Sequence, residues 1–108
     1  MNMLIARSAP GADTAPRDLA DMALTLAAFA QPVTVLFSGA GVLQLGEHGD
    51  TELAEQLLNL PEFGVQCVAE AEALSDALGS ATALIPVASL SVSEVQGLMH
   101  QATQVWGW

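Results

Sequence analysis

The stretch Pro32 to Leu45, PVTVLFSGAGVLQL, decides the fold. Its first part, Val33-Thr34-Val35-Leu36-Phe37, is a β-branched and apolar run of the kind found in a strand buried on both faces of a parallel sheet. A turn of small residues follows, Ser38-Gly39-Ala40-Gly41, and the apolar run resumes at Val42, Leu43 and Leu45. Open α/β sheets tend to build binding sites in loops at the ends of such strands. The turn is only loosely similar to a phosphate-binding loop. No lysine stands near it, the run after it does not read as a helix start, and the chain has neither GxGxxG nor a P-loop.

Outward from this stretch, strands alternate with helical patterns. Met3 to Ala6 reads as a first, central strand, and APGAD, residues 9–13, as a loop. A helix begins between Thr14 and Asp18, with Asp13 or Thr14 as cap and Pro16 in its first turn. Its apolar face is Leu19, Met22, Ala23, Leu26 and Phe29 or Ala30. After a polar loop, Gly46 to Asp50, a second helix carries Leu53, Leu57 and Leu58 inward and breaks at Asn59 to Gly64. Val65 to Ala69 is the third strand, Glu70 to Leu78 the third helix, and Ala81 to Val87 the fourth strand. Ser91-Val92-Ser93-Glu94 fits a capping box that opens a last helix, with Val92, Val95, Leu98 and Met99 facing inward. Thr103 to Trp108 forms a short final strand. The alternation predicts one three-layer α/β/α domain over 1–108, with a mostly parallel sheet of about five strands.

Composition narrows the function. The chain of 108 residues is 52% hydrophobic, enough for a packed core, and it has no Lys, two Arg (Arg7 and Arg17) and 12 carboxylates, a net charge of -10. Such a surface repels phosphate backbones, so no direct nucleic-acid contact is expected. The charge serves solubility or docking onto a basic partner. No apolar stretch reaches the ~18 residues that span a bilayer, and MNMLIARSAP lacks the basic region of a signal peptide. The expected location is the cytoplasm, with no membrane contact. One cysteine, Cys67, and two distant histidines, His48 and His100, offer no metal-ligand set. No cofactor is expected.

Several residues have two readings each. Arg17 and Asp18 form a local ion pair, or Arg17 serves a subunit contact. Arg7 pairs with an acid at a sheet edge or holds an anion. Ser8 and Ser38 both follow strands and line one cleft if the strands are adjacent. His48 lies solvated in its loop. Trp106 and Trp108 either tuck onto the sheet edge or anchor an interface. Cys67 is a buried small hydrophobe or a sulfur carrier.

The residues Arg17, Asp18, Gly41, Val42, Gln44 and Leu45, with Val65-Gln66-Cys67, carry a resemblance to the DsrE/DsrF/DsrH superfamily, which includes the TusB, TusC and TusD subunits of a bacterial sulfur relay. The segment Arg17 to Leu45 looks most like the TusC/DsrF branch, and the tail, ending near Trp108, more like TusB/DsrH. The resemblance implies assembly with DsrE/TusD-like and DsrH/TusB-like subunits, or self-association. It also implies a cytoplasmic part in passing persulfide sulfur, toward 2-thiouridine in tRNA or within sulfur oxidation. In that superfamily the active cysteine lies at the entry to the helix after the third strand, where the helix N-terminus favours a thiolate. Here that position holds Glu70, and Cys67 lies three residues earlier, so the expected role is an accessory, non-catalytic subunit. Two alternatives stand beside it. One is a sulfurtransferase carrying a persulfide on Cys67. The other is a self-associating module that binds a small ligand at Ser8, Ser38 and Gly39 to Gly41.

Overall fold

In a computed structural model, which describes residues 1–11 and 13–108, the run Val33–Phe37 is strand β2, buried at every position. It lies at the centre of a five-stranded sheet in the order β4-β3-β2-β1-β5. β1 is Asn2–Ala6, β3 Gln66–Glu70, β4 Ala88–Leu90 and β5 Gln104–Gly107, and every pairing is parallel. The helices are α1 (Ala15–Ala28), α2 (Thr51–Glu62), α3 (Ala71–Leu78) and α4 (Val92–Gln101). Of the expected loop 9–13, position 12 lies outside the described residues.

Parallel neighbours require right-handed crossovers. The first three connections step the same way along the sheet, so α1, α2 and α3 share a face. Leu4, Val35, Phe37 and Cys67 point into that face and pack among Leu19, Leu53, Leu57 and Leu60. The last connection runs back from one edge to the other and places α4 on the opposite face. Met3, Leu36 and Val68 alternate with the first set and meet Val95, Leu98 and Met99 there.

Local sequence explains most ends. The capping box that opens α4 is complete: Ser91 Oγ accepts from the Glu94 amide, and Glu94 Oε1 accepts from the Ser91 amide. Those bonds hold the Glu94 carboxyl below its ordinary range. The Asp50 carboxylate accepts the Leu53 amide at the start of α2. At α1, Thr14 occupies the cap position without a side-chain bond to the backbone, and Asp13 Oδ1 accepts the Ala15 amide.

Four expectations change. Residues 81–87 are not a strand. Ile85 is buried among the α1–α3 side of the core, and Ala83, Leu84 and Val87 pack against it. The Leu84 amide bonds to the Leu45 carbonyl and leaves the sheet. The apolar character of this segment reports burial of a connection, and strand pairing begins only at Ala88. Secondly, α2 continues through Asn59 and includes Pro61 in its last turn, where it forgoes one i→i−4 amide bond and the helix ends within two residues. Thirdly, Gly39–Leu45 winds into a 3₁₀ segment, so the run after the small-residue turn is helical after all. Finally, Phe29, Val92 and Leu58 are exposed, at 74%, 73% and 47%, and Leu60 takes the inward place expected of Leu58 on α2. Phe29 falls just past the end of α1, and Val92 is the first residue of α4, before the turn that meets the sheet.

The 3₁₀ segment sits tightly on the end of β1. The Ser38 amide donates to the Ala6 carbonyl at 2.9 Å, and a Cβ at Gly41 would collide with that same carbonyl oxygen. Gly41 is therefore required by close backbone approach. Gly41→Ala is expected to destabilise the fold by about 3 kcal/mol, measured as a lower urea midpoint with an unchanged slope.

Candidate functional site

In open parallel sheets, a crevice opens at the carboxyl ends of adjacent strands whose outgoing connections leave toward opposite faces. Here those strands are β3 and β4. β3 ends at Glu70 and feeds α3 on the three-helix face. β4 ends at Leu90 and feeds α4 on the other. Between them lies a cleft of about 600 Å³. Glu70, Glu72 and Asp76 line its α3 side, and Leu90, Val92, Val95 and Met99 its α4 side. Among the described residues no basic side chain lines it.

Glu70 is the residue that ties the cleft to the rest of the sheet. It precedes the first turn of α3, and its Oε1 accepts the amide of Gly39 at 3.0 Å. Gly39 has φ +53°, a left-handed conformation open to glycine. The bond thus joins the turn after β2 to the start of α3. Glu72 lies in the first turn of the same helix and complements its dipole.

Cys67 lies on the other side of the sheet. Three residues before Glu70 along a strand, its side chain points to the opposite face, into the core among Val65 and Ala69. It is 8% exposed, and its Sγ contacts the Val65 carbonyl at 3.8 Å. Burial pushes the thiol from 9.0 up to about 11, because the apolar surroundings disfavour the thiolate. Cys67 does not line the cleft.

Ser8, Ser38, Gly39 and Gly41 cluster at the carboxyl ends of β1 and β2, but the chain fills the space between them. The carbonyl of Ser8 accepts Gln44 Nε2 at 2.9 Å, and Gly41 packs on Ala6. None of these residues lines the larger clefts. Arg17 does not pair with Asp18, whose Oδ2 accepts from the Thr14 hydroxyl. It reaches α2 instead, with Nε 3.5 Å from Asp50 Oδ2 and Nη1 3.0 Å from Glu52 Oε2. Partly exposed pairs of this kind contribute roughly 0–1 kcal/mol. Arg7 is exposed beside Gly107 at the β5 edge and has no carboxylate partner among the described residues. Trp108 packs against the three-helix core, while Trp106 is 39% exposed on the edge strand.

Two polar residues carry more structure than their sequence context suggested. Gln44 is buried within the 3₁₀ segment and holds the loop after β1. His48 is half-buried rather than solvated: Nε2 lies 3.0 Å from the Gln44 carbonyl and Nδ1 3.3 Å from the Asp50 amide. The spacing of Gln44 and His48, one helical turn apart, is the only sequence signal of this link.

No protein-family profile matches the chain, and no curated protein matches it. Among solved structures it is similar to the YchN protein of E. coli, with a TM-score of 0.82 at 14% identity, over 99% of this chain and 97% of that one. It is also similar to BT1422 from Bacteroides thetaiotaomicron, a conserved protein of unknown function, with a TM-score of 0.66 at 17% identity, over 99% and 94%. At these identities the likeness is one of fold. Within that fold the β3–α3 junction of this chain presents a carboxylate, and its one thiol is withdrawn beneath the sheet. Among the described residues no helix is long and apolar enough to cross a membrane, and no group of His, Cys, Asp and Glu could hold a metal ion.

The geometry at Cys67 sets an expected reactivity. A shift from 9.0 to about 11 lowers the thiolate fraction at mildly alkaline pH about a hundredfold. Alkylation of the native protein with iodoacetamide is expected to be at least that much slower than in denaturant. Equal rates in the two states would show an open, ordinary thiol.

Proposed function

We propose that this protein is an accessory subunit of a cytoplasmic sulfur-relay assembly, of the TusC/DsrF kind, which positions a persulfide-bearing DsrE/TusD-like partner, beside a DsrH/TusB-like one, and performs no covalent chemistry itself. One observation carries the reading. The β3–α3 junction, where a thiolate would be favoured by the helix, holds Glu70 bonded to Gly39, and Cys67 is buried on the other face of the sheet. A carboxylate cannot accept sulfane sulfur. A thiol kept protonated in an apolar core has neither the charge nor the access to attack a persulfide.

The DsrE/DsrF-like fold and the match of Arg17 to Leu45 to the TusC/DsrF pattern support the choice of pathway. Passage of sulfur toward 2-thiouridine in tRNA and sulfur oxidation are both consistent with such a subunit. The acidic surface favours contact with proteins over contact with RNA. The carrier reading of Cys67 would require the residue to leave its core position, and no observation favours it.

The test uses a purified DsrE/TusD-like protein loaded with persulfide. Co-elution in size-exclusion chromatography is expected, unchanged by Cys67→Ser, and mass spectrometry is expected to show no added sulfur on this chain. Absence of any complex would remove the accessory-subunit reading. A sulfur adduct on Cys67 would replace it with a carrier role.

A further inference from the structure

We infer that the cleft between α3 and α4 is a docking site for a cationic, amphipathic segment of another protein, which seats an apolar side chain against α4 and places Lys or Arg along α3. The assignment uses only the shape and charge of the cleft and stands apart from the sulfur-relay reading.

The two walls of the cleft differ in chemistry. Along the α4 wall, Val92 is 73% exposed, and Leu90, Val95 and Met99 continue the apolar surface inward. Val92 is thus the exposed end of a contiguous apolar strip in the cleft and not an isolated surface side chain. Along the α3 wall, Glu72 and Asp76 stand one turn apart on one helix face, with Glu70 at its mouth. Glu72 and Asp76 have no ion-pair partner among the described residues, since both ion pairs there belong to Arg17. An apolar strip beside an uncompensated acidic strip complements a segment with the reverse arrangement, one that is apolar on one side and basic on the other.

The occupant is not a second copy of this chain. Each copy carries a net charge of -10 with two arginines and no lysine. Arg17 is already held by Asp50 and Glu52. Arg7 alone cannot neutralise the cleft, and bringing two such chains together opposes their charges. Nucleic acid is excluded by the same sign. A basic polypeptide meets both walls, and the overall field of the protein would speed its approach.

The experiment takes the full chain and a fluorescein-labelled amphipathic peptide of leucine and lysine, with a leucine–glutamate peptide as its opposite. Fluorescence anisotropy gives affinity, and amide chemical-shift changes locate the contact. The lysine peptide is expected to bind and the glutamate peptide not to bind. Shifts are expected in α3 and α4. Val92→Asn and the pair Glu72→Gln with Asp76→Asn are each expected to weaken binding about tenfold at low salt. All three sites are exposed, so circular dichroism is expected to be unchanged. Phe29→Ser, an exposed apolar change at the far end of the sheet, is expected to leave affinity unaltered. Three results would overturn the assignment. The variants could bind like the parent. Shifts could fall around Phe29 and Phe63 instead. Or the parent could dimerise through this cleft, with Val92→Asn restoring a monomer.

Discussion

The right-handedness of parallel crossovers is the constraint on which the rest of this structure depends. Three successive steps in one direction stack α1, α2 and α3 on a single face. The return step from β4 to β5 then has only one permitted side, and α4 must lie on the other face. The reversal separates the starts of α3 and α4 and leaves a crevice between the ends of β3 and β4. The cleft is thus a consequence of strand order rather than of any local motif.

The two faces that result are unequal. Three helices and the 3₁₀ segment close over one side and leave Leu4, Val35, Phe37 and Cys67 deep in the core. One helix covers the other, and it reaches the sheet only from Val95 onward. Alternation along β3 then does the chemical sorting. Cys67 and Glu70, three positions apart, face opposite layers. The thiol goes into a medium that opposes ionisation, and the carboxylate goes to the rim, where it accepts a backbone amide. A single strand therefore sends the thiol into the core and the carboxylate to the cleft.

Stability and site share the same junction. Ala6 accepts the Ser38 amide, Gly41 rests on that carbonyl, and Gly39 presents its own amide to Glu70. The turn after β2 is consequently packed from below at Gly41 and bonded from the side at Gly39, and it lines neither of the larger clefts. Gly41 in it serves close backbone approach, and Gly39 supplies the left-handed φ. This separates the fold seen here from phosphate-binding folds, in which a similar turn stays open over a helix N-terminus.

By itself the sequence determined the alternation of strands and helices, the buried central strand and the Ser91–Glu94 cap, because periodicity, β-branching and capping chemistry act over a few neighbouring residues. It also determined the absence of a cysteine at the β3–α3 junction and the acidic character of the surface. Tertiary structure alone decided the rest. Residues 81–87 are as apolar as a strand, yet they pack as a connection, since composition records burial and not pairing. Arg17 passes over its neighbour Asp18 for Asp50 and Glu52, because the packing of α1 on α2 brings those carboxylates closer. The stretch Pro32 to Leu45 reads as a strand and an apolar run. Only contact with the end of β1 turned its second half into a 3₁₀ segment and Gly41 into a packing residue. The cleft joins Glu70 to Val92 across two strands, a distance that no local pattern spans.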